Sequence, residues 1–241
     1  MKKGQDAYGR EVYDYFKHGA GCEIVERDDG LVSMSTGPDA YFTEYRDWGA
    51  HLKKAIAFVR GRVLDVGCGA GRHSLYLQKK GHDVLGIDTS PLAAKVARLR
   101  GVKRVRVMPV TKVSSRLGTF DTIVMLGNNF GLFESRKRAK WLLGRFRSIT
   151  SEDARIIVET VDPYRTDERH HLNYHKFNRR RGRMSGQTRL RVRYLTYATP
   201  WFDYLLVSPD EMKQLLEGTG WKVAKFFRSK GPAYSAVIER L

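Results

Sequence analysis

Between residues 62 and 160, short apolar runs alternate with amphipathic stretches. The runs near 62–66, 83–87, 104–108, 120–126 and 154–160 have the length and branching of strands. The stretches near 72–80, 90–99 and 134–149 carry apolar residues at helical spacing. This alternation predicts an α/β fold, with a parallel sheet covered by helices on both faces. Ligands on such a sheet sit at the carboxyl ends of its strands, at the switch point. Further on, Ser208-Pro-Asp-Glu211 has the pattern of a capping box with proline at the first helical position, and opens a helix over 208–217. The runs 221–227 and 234–239 read as two last strands.

The flanks are less regular. Tyr8, Val12, Tyr15 and Phe16 recur at helical spacing and predict an amphipathic helix over 1–20, a packing lid. Asp28, Asp29 and Gly30 separate two β-type runs, 23–27 and 31–34, as in a hairpin. A helix from 49 to 59 completes an N-terminal extension, 1–60, ahead of a domain from 61 to 241. After Thr160 the pattern stops. Residues 161–193 are polar and hold His170, His171, His175 and Arg179–Arg181. Neither cysteine nor acid accompanies the histidines at ligand spacing, so no metal site is assigned. The arginines fit either a phosphate grip or a solvated loop. Residues 190–194 and 201–207 read as a strand pair, making 161–207 an insert.

The chemistry centres on Val63-Leu-Asp-Val-Gly-Cys-Gly-Ala-Gly-Arg72. A buried strand runs through Gly67, Gly69 and Gly71 into a helix, which brings backbone N–H groups to a ligand at the helix N-terminus. The third glycine comes one residue earlier than in G-x-G-x-x-G, and Asp65 precedes the first by two. The next strand ends in Asp88, about twenty residues on, where α/β nucleotide sites hold a ribose-binding carboxylate. Thr89 follows, and Ser90-Pro91 starts a helix.

This D-x-G-x-G-x-G form resembles motif I of the class I S-adenosylmethionine (SAM) methyltransferases. The resemblance covers residues 60–160 and 208–241. It implies a doubly wound, mostly parallel seven-stranded sheet with a reversed final strand, an N-terminal helix and hairpin extension, and an antiparallel insert before the last helix. It also implies SAM as cofactor, held by Asp65 near the methionine end, by Gly67, Cys68, Gly69 and Gly71, by Asp88 at the ribose with Thr89 beside it, and by Leu126. One position departs from the family. Pro109 or Val110 stands where an acid or amide contacts adenine, leaving backbone groups and apolar walls for that task.

The loop Gly127-Asn-Asn-Phe-Gly131 occupies the motif IV position, beside the methyl donor in the family. It is similar to the G-N-[ST]-F-G loop of glycine-N-methyltransferase-like small-molecule enzymes and unlike the N-P-P-[YF] loop of base methyltransferases. Asn128 and Asn129 are therefore candidate acceptor contacts; an Asx turn is the plainer alternative. Tyr41, Tyr45, Trp48, Trp201, Tyr204 and Arg191 are candidates for covering the acceptor, although the aromatic residues at 41–48 would serve equally to dock a helix.

Charge widens the choice of partner. Lys and Arg number 44 against 26 Asp and Glu, a net charge of +18. This suits an anionic small molecule or a nucleic acid, and equally a surface that is merely charge-rich. Two cysteines make no disulfide framework, and neither an apolar leader nor a membrane-length apolar run is found, so a cytoplasmic protein without a membrane anchor is expected. The expected activity is methyl transfer from SAM to a nitrogen or oxygen of a small molecule. Two alternatives stay open: an RNA or protein methyltransferase using the basic surface, and a SAM-binding protein without catalysis.

Overall fold

A computed structural model describes residues 4–35 and 37–241. The first three residues of the expected helix 1–20 lie outside the described residues. In chain order come α1 (Ala7–His18), β1 (Ile24–Arg27), β2 (Val32–Met34), α2 (Ala50–Ile56), β3 (Val63–Val66), α3 (Arg72–Lys79), β4 (Val84–Asp88), α4 (Pro91–Leu99), β5 (Val105–Val107) and β6 (Phe120–Met125). They are followed by α5 (Arg136–Arg147), β7 (Thr150–Val161), α6 (Arg169–Arg180), β8 (Gln187–Tyr194), β9 (Tyr197–Ala198), β10 (Phe202–Leu205), α7 (Pro209–Leu216), β11 (Trp221–Arg228) and β12 (Ala233–Arg240).

Seven strands form one sheet in the order β11-β12-β7-β6-β3-β4-β5. The pairs β4–β5 and β6–β7 are parallel. β12 runs antiparallel to both β7 and β11, as expected of a reversed final strand. All four residues of β3 are buried, which is why it reads as an unbroken apolar run around Asp65. Local signals behave as the sequence predicts. The Ser90 hydroxyl caps α4 by accepting the Ala93 N–H at 2.9 Å, with Pro91 at the first position. Ser208 and Glu211 form a reciprocal capping box on α7.

The chain divides into two compact units. One holds the residues up to Trp48, Leu64–Lys112 and Arg189–Phe202; the other holds Gly49–Val63, Val113–Thr188 and Asp203–Leu241. In the first, α1 packs on α4 through Val12, Ala93 and Val96, with Tyr8, Phe16 and Tyr41 against the same cluster.

Two features depart from the sequence reading. Residues 169–180, expected to be an irregular loop, form the three-turn helix α6. Its buried face is Tyr174, His175 and Asn178 rather than aliphatic, so it gives no apolar periodicity. The Asn178 side-chain amide instead donates to the carbonyls of Ser185 (3.0 Å) and Gln187 (2.8 Å). Secondly, the N-terminal hairpin and the insert are one sheet: β8 pairs antiparallel with β1, aligning Ile24 with Arg193 and Arg27 with Leu190, in the order β10-β8-β1-β2 with β9 on β8. Glu26 fixes this register, accepting from Arg193 Nη1 at 2.6 Å and Arg191 Nε at 2.7 Å.

Candidate functional site

The glycine loop is built from backbone upward. At the end of β3 the N–H groups of Gly67 and Cys68 both donate to the Ile87 carbonyl, at 2.9 and 3.1 Å, which holds the loop to β4. The Gly69 N–H then donates to Asp88 Oδ2 at 2.8 Å, and the Ser90 N–H to Oδ1 at 2.8 Å. Asp88 thus joins the loop to the start of α4, and the residues chosen from sequence on either side of it do come together. Burial raises the Asp88 carboxyl, against the lowering effect of these amides.

Glycine is required here for two distinct reasons. Gly69 has φ +51°, and a Cβ on it would stand 2.4 Å from the Tyr8 hydroxyl. Gly71 has φ +82°, and its Cβ would lie 2.5 Å from Val102 Cγ2, so the turn into α3 is also tightly packed from behind. Asp65 is buried and accepts the Ser74 hydroxyl, from the first turn of α3, at 2.6 Å. Burial pushes its carboxyl up to about 6. Cys68 is buried against Gly86, and burial pushes its thiol well up. Thr89 is exposed. After β5, Met108 N–H donates to the Asp88 carbonyl, and the chain continues through Pro109 without an acid.

The aromatic candidates separate. Tyr45 stacks on Tyr76 of α3 at 4.6 Å, and buried Trp48 lies edge-on to His73 and Tyr76. Arg72 ties this segment to α3, donating to the Ala40 carbonyl at 2.7 Å. Tyr41 instead turns to α1, 5.1 Å from the Tyr8 ring, and its hydroxyl donates to Glu23 Oε1 at 2.9 Å. Trp201 lies under the Arg191 guanidinium at 4.9 Å.

In the second unit, β6 delivers buried Leu126 and then Gly127, whose N–H donates to Glu159 Oε2 at 2.7 Å. His51 Nε2 lies 2.8 Å from the other oxygen of Glu159. Asn128 is left-handed, φ +69°, and precedes the 3-10 turn Asn129–Phe133. Its carbonyl accepts the Tyr204 hydroxyl at 2.5 Å, and its buried Oδ1 has no hydrogen-bond partner among the described residues. The Tyr204 ring covers Gly131 so closely that a Cβ there would be 2.1 Å away. Asn128 and Tyr204, picked separately from sequence, are therefore in contact. His51 and Glu159 were not picked; the signal for Glu159 was an acid directly after the apolar run 156–158 of β7. His175 is buried on α6 beside the Tyr164 ring, and the His170 ring lies tilted against His171, 4.1 Å between centroids.

A strand, three left-handed glycines, a helix and a carboxylate closing the next strand define a nucleotide-binding α/β fold of the methyltransferase type. The chain belongs to the methyltransferase family: its methyltransferase-domain profile matches residues 40–225. A SAM-dependent methyltransferase from Bacteroides fragilis, solved with S-adenosyl-L-homocysteine, has the same fold, with TM-score 0.84 and 23% identity over 100% of this chain and 97% of that one. A glycine/sarcosine N-methyltransferase from Halorhodospira halochloris is 32% identical over 46% of this chain and 47% of its own length. A 2-heptyl-1-hydroxyquinolin-4(1H)-one methyltransferase from Mycobacteroides abscessus is 36% identical over 27% of this chain and 32% of its own. The chain thus spans half or less of the curated relatives it matches.

Proposed function

We propose that this protein transfers a methyl group from SAM to a nitrogen or oxygen of a small molecule. The observation that carries the reading is the Gly69–Asp88 bond, which sets a carboxylate and a side-chain-free loop together at the carboxyl ends of β3 and β4. Those residues fit the cofactor: the loop lets backbone N–H groups approach it, Asp88 retains lone pairs for ribose hydroxyls, and buried Asp65 fixes the start of α3. When bound, SAM supplies a methyl group on a sulfonium, a good leaving group. The protein's contribution is then mostly positioning, and no strong base is demanded of it. The family resemblance assigns Leu126, Asn128 and Asn129 to the transfer step. Matches to relatives named as N-methyltransferases and as O-methyltransferases support a small acceptor.

One observation favours a second reading, methylation of RNA. Trp141 on α5 is exposed between Arg138 and Arg145, whose guanidinium groups lie 5.8 and 5.2 Å from its ring. Titration of RNA at rising salt separates the two: a steep fall in affinity supports the second, and no binding at 50 mM salt supports the first. Titration with S-adenosyl-L-homocysteine tests both, since each requires saturable binding.

A further inference from the structure

The pair His51 and Glu159 stands in the second unit, at the loop that follows β6. β6 and β7 run parallel, with Met125 aligned to Val158. Gly127 and Glu159 therefore come toward the carboxyl ends of both strands, where ligands of α/β sheets sit. The side chains of His51 and Glu159 are 10% and 13% exposed. Docking of α2 does not call for them, since Leu52, Ala55 and Ile56 already bury that helix.

The bonds fix which ring nitrogen carries hydrogen. Glu159 is held at both oxygens, by the Gly127 N–H at 2.7 Å and by His51 Nε2 at 2.8 Å. A carboxylate only accepts, so Nε2 is the N–H and the neutral ring keeps its lone pair at Nδ1. Gly49 leaves that nitrogen room. Its φ of −59° and ψ of 147° suit any residue, yet a Cβ there would lie 2.7 Å from Nδ1 and 2.5 Å from Cε1. The glycine therefore serves the ring and not the backbone. A carboxylate on one nitrogen and a lone pair on the other is the arrangement of a general base: the carboxylate orients the ring and stabilises its cation.

A ligand is indicated independently. Asn128 follows Gly127 in the chain, and its buried Oδ1 has no hydrogen-bond partner among the described residues. Its carbonyl is taken by the Tyr204 hydroxyl. That hydroxyl is raised by burial and then by the charge of Glu159, so the pair and the Asn128 contact share one neighbourhood. Buried acceptors in folded proteins are paired, and a donor on a bound molecule would complete this one.

We propose that His51 takes a proton from a hydroxyl of the methyl acceptor, with Glu159 as its positioning residue, which makes the acceptor an acidic hydroxyl compound such as a phenol. This rests on the methyl-transfer reading above. A neutral amine has its own lone pair and needs no such group, whereas a phenol holds its proton up to about pH 10 and its un-ionised oxygen is a weak nucleophile. In the step, the O–H bond breaks and the proton goes to Nδ1. The oxygen's electrons form the bond to the methyl carbon, and the electrons of the breaking C–S bond stay on sulfur. Glu159 balances the imidazolium until Nδ1 gives its proton to water.

The probe is 4-nitrophenol, whose ionised form is yellow, titrated with the whole protein and saturating S-adenosyl-L-homocysteine at a pH below the probe's own titration. The readout is the phenolate absorbance, which a merely structural ion pair would not move. The expected result is about a tenfold rise in the ionised fraction of the bound probe over the free one, equal to one pKa unit. The rise should be lost in His51→Gln and weakened in Glu159→Gln; two variants are used so that the test stands if one of them does not fold. No rise in the wild type, or a rise undiminished in either variant, overturns the assignment. S-adenosyl-L-homocysteine binding to the wild type is read separately by calorimetry. Its absence removes the methyl-transfer reading, while its presence without the phenolate rise removes only the role of His51.

Discussion

Both carboxylate oxygens of Asp88 accept backbone amides, one from the glycine loop and one from the start of α4, so this side chain shapes the loop. Asp88→Ala should lower affinity for S-adenosyl-L-homocysteine by about 1–3 kcal/mol, roughly five- to 150-fold by calorimetry. Unchanged affinity would remove Asp88 from the site. Gly71→Ala meets both a left-handed backbone and the Val102 methyl, and should cost about 2–4 kcal/mol in a denaturant melt. These residues were legible in the sequence because glycines and acids at fixed spacing encode local backbone geometry. Glu11 and Glu23 were not: a glutamate on an amphipathic helix or beside a short strand looks solvated until the fold buries it. Glu159 and His51 escaped because only the fold brings them together, being 108 positions apart.

At the level of elements, the parallel strands, the capped helices α4 and α7 and the Asp28–Gly30 hairpin follow from local signals of period and punctuation. The helix α6 does not, because its buried face is polar and is held by Asn178. Asn178→Ala should therefore destabilise the protein by about 2–4 kcal/mol, since it leaves two carbonyls without donors; a loss under 0.5 kcal/mol would mean that α6 is anchored otherwise. The pairing of β1 with β8 was also beyond local pattern. Its one trace was charge, an acid at position 26 against arginines at 191 and 193.

Over the whole molecule, buried acids set the dependence of stability on pH. Glu11 moves from an ordinary 4.5 to about 8, and Asp65 from 3.8 to about 6, so each binds its proton more tightly in the folded chain. The folded state then carries more protons between those values, and this contribution to stability falls as pH rises from 4.5 to 8. Buried His73, held well below 6.5 by burial and Arg72, acts in the opposite sense up to that pH. Around Glu11 the other titratable groups are Glu23 with its partner Tyr41, and Tyr194 with its neighbours Asp14 and Arg10. The difference between wild type and Glu11→Gln isolates it: the melting temperature of the variant should lose the decline between pH 6 and 8, and parallel curves would contradict the assignment. No helix among the described residues is long and apolar enough to cross a membrane. The central claim, methyl transfer to a small molecule, is tested most directly by incubating the protein with methyl-labelled SAM and a panel of small amines and phenols together with RNA, then separating products by size. The account predicts label in the small-molecule fraction, insensitive to ribonuclease. Label confined to RNA, or none from a protein shown to bind SAM, would contradict it.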